Sequence, residues 1–215
     1  MALKHISTAV KSREDSPFVG PLTKRSIVVA AGAQWPTGSG YDYIIPLGVP
    51  MAPYTGGNGK YQPIRRTTLA SSVASSDTQL YVADANGFAT GDVIAAFTGA
   101  GATTNGFTAT LTGVDYTNNI LTIVALGAAT ALTAALTSSY IEVEHNGYLH
   151  NHDDAIFLGE NIQTKDALSG STFDVPAVGI IAGQVDINRL APNCYDAMIE
   201  SQIPGFDYIP TTPGV

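Results

Sequence analysis

Short runs of β-type sequence, separated by turns rich in Gly, Asn and Pro, recur along most of the chain. The stretch "GFTATLTGV" alternates, with Phe107, Ala109 and Leu111 on one side and threonines on the other. Such alternation is typical of a strand with one buried face. "SIVVAAGA" is a β-branched run that ends at a glycine, and "DANGFATGD" carries two glycine turn signals. The pattern restricts the chain to a mainly β fold.

One segment has the pattern of a helix. "PNCYDAMIESQIPG" spaces its apolar residues along one face of a helix, a stripe that is usually buried in the core. Asn193 can cap its start, and Pro204 followed by Gly205 ends it. We therefore expect a single short helix near the C-terminal end of this sequence.

The order of the strand patterns predicts an inserted domain. Composition shifts to Ala, Thr and Gly near Thr67, and short strands with turns between them continue to about residue 145. These features predict a small β-barrel or sandwich over 67–145. Because "YIIPLGVPMA" and "VPAVGIIAGQVDI" are similar in style, 26–66 and 146–215 are predicted to form one β domain that the insert interrupts. Both flanks look complete, so we expect the insert to be removable.

Residues 1–25 are predicted to form an extended N-terminal arm. In "SPFVGPLTKR", two prolines and a glycine oppose any regular packed element. The arm is then either a disordered terminus or a segment that docks on a partner, and its apolar side chains favour docking. The candidate contact residues are Pro17, Phe18, Val19, Pro21, Leu22 and Ile27.

The charge content is low and acidic. Charged residues make up 13% of the chain, with 10 basic and 18 acidic side chains and a net charge of −8. Nucleic-acid binding is not expected, because counterion release requires clustered cations. A surface so poor in charge fits a protein that lies against other subunits. The pairs Lys24/Arg25 and Arg65/Arg66 are interpreted as contacts with an acidic partner or as solvated turns.

No membrane or redox role is expected. The chain has no run of ~18 apolar residues that could span a bilayer, and its first residues lack the apolar core of a signal peptide. Cys194 is the only cysteine, which excludes an intrachain disulfide. We interpret it as a small buried hydrophobe.

The densest polar cluster is "EHNGYLHNHDD", which holds His145, His150, His152 and Asp154. If this segment is extended, the last three share a face and could bind a transition metal. A polar hinge between two domains uses the same residue types and is the favoured interpretation. "GAGATTNG" lacks the helix that a phosphate loop requires, and no nucleophile motif is present. We therefore predict no metal, no cofactor and no enzymatic activity.

Three segments together resemble a known family. They are "SIVVAAGA", "YIIPLGVPMAPYTGGNGKYQPI" and "VPAVGIIAGQVDINRLA". This set resembles the lambda-type head decoration (capsid cement) proteins of tailed bacteriophages, over roughly 15–66 and 150–200. The matching positions are Gly59, Lys60, Tyr61 and Pro63 of the turn, and Gly179, Ile180, Ile181 and Asp186 of the later strand. The compact members of that family lack the segment 67–145.

The resemblance implies a structural protein of the virion. It implies a homotrimer on the outer surface of the head, with the arm adding a strand to the major capsid protein. Deleting residues 1–25 is then expected to leave the trimer folded and to abolish its retention on heads. An adhesion or receptor-binding module of a tail fibre or baseplate is the alternative, and a carbohydrate-active hydrolase is a third interpretation.

Overall fold

The computed structural model describes residues 16–39, 42–54, 57–74, 76–98, 105–124, 139–144, 154–190, 194–195 and 197–210. These residues form β1 (Phe18–Val29), β2 (Ile44–Ile45), β3 (Pro50–Pro53), β4 (Tyr61–Pro63), β5 (Arg66–Thr68), β6 (Gln79–Tyr81), β7 (Val93–Thr98), β8 (Asn105–Asp115), β9 (Ile120–Ile123), β10 (Ser139–Glu144), β11 (Ile156–Leu158), β12 (Ile162–Gln163), β13 (Val175–Asp186), helix α1 (Ala197–Gln202) and β14 (Phe206–Ile209). The fold is mainly β with one short α-helix in the described part of the chain, as the sequence predicts.

Strands from both ends of the sequence form a closed ring, which we call the base barrel. β1 and β13 pair antiparallel along almost their whole length, from Phe18 opposite Val185 to Val29 opposite Val175. The ring continues through β11, β3 and β4, and it closes where Val29 of β1 pairs parallel with Tyr61 of β4. β14 adds a parallel strand beside the end of β13.

The base barrel has apolar side chains on both faces of its wall. Along β11, Ile156 and Leu158 belong to the inner cluster and Phe157 belongs to the outer one, as the two-residue period of a strand requires. The outer cluster is covered by α1 through Ile199 and by β14 through Phe206. The short helix therefore serves as a lid over one side of the wall.

The segment between β4 and β11 forms a second ring, the insert barrel. Its six strands run in the order β5-β10-β7-β8-β9-β6. The two outer strands then meet, because Leu69 bridges to Val82 and the Ala70 amide donates to the Tyr81 carbonyl at 2.8 Å. The barrel is filled by Leu69, Val73, Leu80, Val82, Ala85, Phe88, Ile94, Ala96, Phe107, Leu111, Leu121, Ile123, Ile141 and Val143.

The prediction of an extended N-terminal arm is wrong for the last eight residues of that segment. From Phe18 to Arg25 the chain belongs to β1 and is paired with β13, so it is a packed element of the base barrel. The breakers are absorbed by a register shift between Val19 and Thr23, where Gly20 adopts a φ of +71°. A bulge tolerates a proline that cannot donate, and Pro21 lies within it. Residues 1–15 lie outside the described residues.

Helix α1 begins at Ala197 and ends at Gln202. The proposed cap, Asn193, lies outside the described residues, and the helix stops before Pro204 as expected. Within the described ranges, no helix is long and apolar enough to cross a membrane.

Candidate assembly surface and barrel junction

One edge of β1 is open in the described part of the chain. Its other edge is bonded to β13 along its length, whereas β4 reaches β1 only at Val29. The outward-facing side chains beside the open edge include Val28, which is 40% exposed, and Val19, which is 38% exposed. A long open edge is a template for pairing with a strand of another chain. We call Val19–Ile27 and its open backbone the β1 edge.

The predicted contact residues divide between two roles. Phe18 points into the outer cluster, with its ring centroid 6.2 Å from that of Phe157. Ile27 is buried in the inner cluster, and Pro17 is buried as well. Leu22 packs so closely on Gly183 that a Cβ there would lie 2.6 Å from it. These four residues contribute to the fold of the base barrel.

Val19 and Pro21 are the members of that set that remain exposed. Deleting residues 1–25 would remove them, but it would also remove most of β1 and its core contacts. The deletion therefore cannot leave the base barrel intact, which corrects the expectation from the sequence. A role for Val19 and Pro21 in contacting a partner stays a prediction.

A buried ion pair of the insert barrel lies where the insert meets the base barrel. The Arg66 guanidinium donates to Glu142 Oε2 through Nε at 3.0 Å and Nη2 at 2.8 Å, and both side chains are almost fully buried. Nη2 also donates to Gln202 Oε1 of α1 at 3.0 Å, and the guanidinium lies over the Tyr140 ring. One arginine thus links β5 and β10 of the insert with the helix of the base.

Arg65 makes a second connection of the same kind. Its Nη1 and Nη2 donate to the two carboxylate oxygens of Asp92 at 2.8 and 2.9 Å, and Nη1 also donates to the Gly87 carbonyl. Bidentate pairing of this geometry is the strongest form of side-chain ion pair. The basic pair Arg65/Arg66 therefore has acidic partners within its own chain, and the interpretation as a solvated turn is wrong.

The two barrels also share close packing around the tryptophan. Trp35 is buried in the base core, and a Cβ at Gly87 would lie 3.6 Å from its ring. The Gly87 amide donates to the Pro36 carbonyl at 2.6 Å. A Cβ at Gly38, where φ is +73°, would lie 2.6 Å from the Tyr116 ring. The expectation that the flanks are complete without the insert is at odds with this shared surface.

The candidate metal ligands His145, His150 and His152 lie outside the described residues. Asp154 is described: it is exposed, and its carboxylate lies 3.9 Å from the Arg25 guanidinium. Among the described residues, no three His, Cys, Asp or Glu side chains are grouped so that they could hold a metal ion. The interpretation of the histidine segment as a hinge stays a prediction.

Cys194 is fully buried in the inner cluster of the base barrel. Burial raises the pKa of its thiol well above the usual value, and the Asp84 carboxylate adds to the effect. Because the thiolate is the reactive form, we expect a thiol reagent such as DTNB to label Cys194 only after unfolding. Rapid stoichiometric labelling of the native protein at pH 8 would contradict this burial.

Comparison of the chain with protein-family models, curated proteins and solved structures gave no match. The resemblance to head decoration proteins therefore stays a prediction. The β1 edge combines an open backbone with exposed apolar side chains, which are the features of a surface that binds another chain.

Proposed function

We propose that this chain is a structural capsid decoration protein that binds the outer surface of a phage head as a homotrimer and stabilises the shell. The observation that carries the proposal is the β1 edge. Main-chain groups along that edge can pair with a strand of the major capsid protein without any deep pocket. The base barrel holds the edge in an extended conformation, which lowers the entropy that docking must overcome.

The barrel wall makes this edge a rigid platform. β1 is anchored on its second edge by β13, and Ile27 and Val29 fix its inner face in the core. Outward side chains such as Val28 then lie at fixed positions beside the backbone that pairs. Three such edges in a trimer, repeated over a shell, give tight retention from contacts that are individually weak.

A charge placed beside the edge tests the proposal. We expect Val28→Lys to weaken retention on expanded heads at least about tenfold, because lysine on an edge strand opposes strand addition and the valine can no longer be buried. Retention is measured by co-sedimentation of purified protein with heads that lack it. Val93→Lys is the matched control, since Val93 is 37% exposed on strand β7 of the insert barrel.

Two results would count against the proposal. One is equal retention of the Val28→Lys variant and the wild type. The other is a wild-type protein that does not bind heads at all. A thermal unfolding curve for each variant establishes that the substitution has left the fold intact.

The alternative is an adhesion or receptor-binding module of a tail fibre or baseplate. The insert barrel favours it through exposed apolar side chains on neighbouring strands, Tyr81 at the end of β6 and Val124 just after β9. Co-sedimentation with tails and not with heads would select this function.

A further inference from the structure

A tight hairpin carries a fully exposed leucine at its end. Lys165 bridges to Thr172, and within the loop the Asp166 amide donates to the Ser171 carbonyl at 2.8 Å. The Asp166 carboxylate accepts from the Leu168 and Ser169 amides at 2.7 Å each. Leu168 is 98% exposed. We call residues 165–172 the tip hairpin.

A single exposed leucine needs no explanation by itself. Leu168 differs because its backbone is held by the hydrogen bonds of the loop, so that the side chain is presented at a fixed place. Little entropy is lost when such a preorganised side chain enters a pocket. A matching pocket elsewhere on the molecule would give the tip hairpin a partner.

The described residues contain such a pocket. An open groove of about 760 Å³ lies where β1 begins and β13 ends, a size within the range of ligand pockets. Its apolar lining comes from Phe18, Val19 and Leu22, and Lys24 adds a positive charge at the rim. The one carboxylate in the lining, Asp186, is paired with Arg189 at 2.9 Å. We call this the β1 groove.

We propose that the tip hairpin of one copy inserts Leu168 into the β1 groove of a second copy of this chain. The apolar side chain then covers Phe18, Val19 and Leu22 at the start of the β1 edge, while the exposed Asp166 carboxylate approaches Lys24 at the rim. The part of the edge toward Ile27 stays available for the capsid strand of the proposed function. Hydrogen bonds from the Ser169 and Leu168 amides lower the pKa of Asp166, so it is ionised at neutral pH. The apolar Leu168 side chain and the Asp166 carboxylate thus match the apolar lining and the Lys24 ammonium of the groove in chemical character.

The contact forms between copies and not within one. The tip hairpin lies just before Val175, where β13 begins, and the β1 groove lies at Asp186, where β13 ends. Twelve residues of strand span roughly 40 Å, so a tip cannot reach the groove of its own chain. Each copy has one tip and one groove, which makes the contact head-to-tail. The closure of this contact into a ring of three copies rests on the proposed function. The contact itself can be tested without a capsid.

The first test measures self-association of the purified chain by sedimentation velocity over a wide concentration range. We expect the wild type to associate, and Leu168→Asp and Val19→Asp each to weaken association at least tenfold. Val124→Asp is the control, because Val124 is 69% exposed on the insert barrel, away from both surfaces. A wild type that is monomeric at every concentration would overturn the proposal, as would a Leu168→Asp variant that associates like the wild type.

Mixing the two variants separates this contact from other kinds of association. Leu168→Asp keeps an intact groove and Val19→Asp keeps an intact tip, so an equimolar mixture should form a dimer at concentrations at which neither variant associates alone. Far-UV circular dichroism first establishes that both variants are folded. A mixture of the folded variants that forms no dimer, as a symmetric contact would give, would overturn the proposal. Retention on heads is measured separately, so failure of the capsid function with intact self-association would be recognised as such.

Discussion

Replacing Glu142 by leucine is expected to lower the free energy of unfolding by about 3–5 kcal/mol, the usual effect of removing one partner of a buried ion pair. Glu142 is fully buried and accepts two hydrogen bonds from Arg66. Without the carboxylate, the Arg66 charge stays buried and loses its anionic partner, while the contacts with Gln202 and the Tyr140 ring do not neutralise it. Urea denaturation followed by far-UV circular dichroism measures the difference.

The double variant Arg66→Met/Glu142→Leu distinguishes the loss of pairing from the loss of packing. It should recover most of the stability, because two apolar side chains of similar volume replace both charges. Lys60→Met is the control for a surface ion pair, because Lys60 and Asp174 are 2.7 Å apart but partly exposed. It should change the free energy of unfolding by no more than about 1 kcal/mol. An effect of Glu142→Leu as small as that control would show that the buried pair does not stabilise the junction.

Replacing residues 67–145 by a short Gly/Ser linker is expected to abolish cooperative folding of the remaining chain. Arg65 and Arg66 would lose Asp92 and Glu142, and Trp35 would lose its cover at Gly87. The chain has a single tryptophan, so Trp35 fluorescence reports directly on this junction during thermal unfolding. In the intact protein we expect one cooperative transition that includes both barrels.

A second excised variant keeps this prediction testable. Adding Arg65→Ser and Arg66→Thr removes the unpaired charges, and partial recovery of a cooperative transition is expected. If instead the excised chain with both arginines retained unfolds cooperatively near the wild-type midpoint, the base barrel is an independent unit and the junction contributes little.

The elements that depend on local sequence could be predicted. Along β8, Phe107 and Leu111 are buried and Thr108 and Thr110 are exposed, as the alternation indicates. The turn glycines Gly87 and Gly91 both adopt positive φ, which their neighbours in "DANGFATGD" signal. Such features depend on residues within one strand or turn, so they can be predicted from the neighbouring sequence.

The features that depend on distant partners could not be predicted. Arg65 and Arg66 find their carboxylates 27 and 76 residues away, and no local pattern indicates that. β1 carries two breakers, yet pairing with β13 and a bulge overcome them. For the candidate surfaces, the exposed Leu168 was missed, although an aspartate followed four residues later by a glycine indicated a tight, self-bonded loop around it.

The insert barrel is attached through two neighbouring strands, because Arg66 of β5 pairs directly with Glu142 of β10. The first and last strands of the insert barrel thus lie one strand spacing apart, about 4.8 Å. A foreign domain whose own ends lie that close together could be grafted at the same place, provided that it supplies a carboxylate opposite Arg66 and a small residue against Trp35. With the function proposed above, such grafts would display many copies of the new domain in a regular array on the shell.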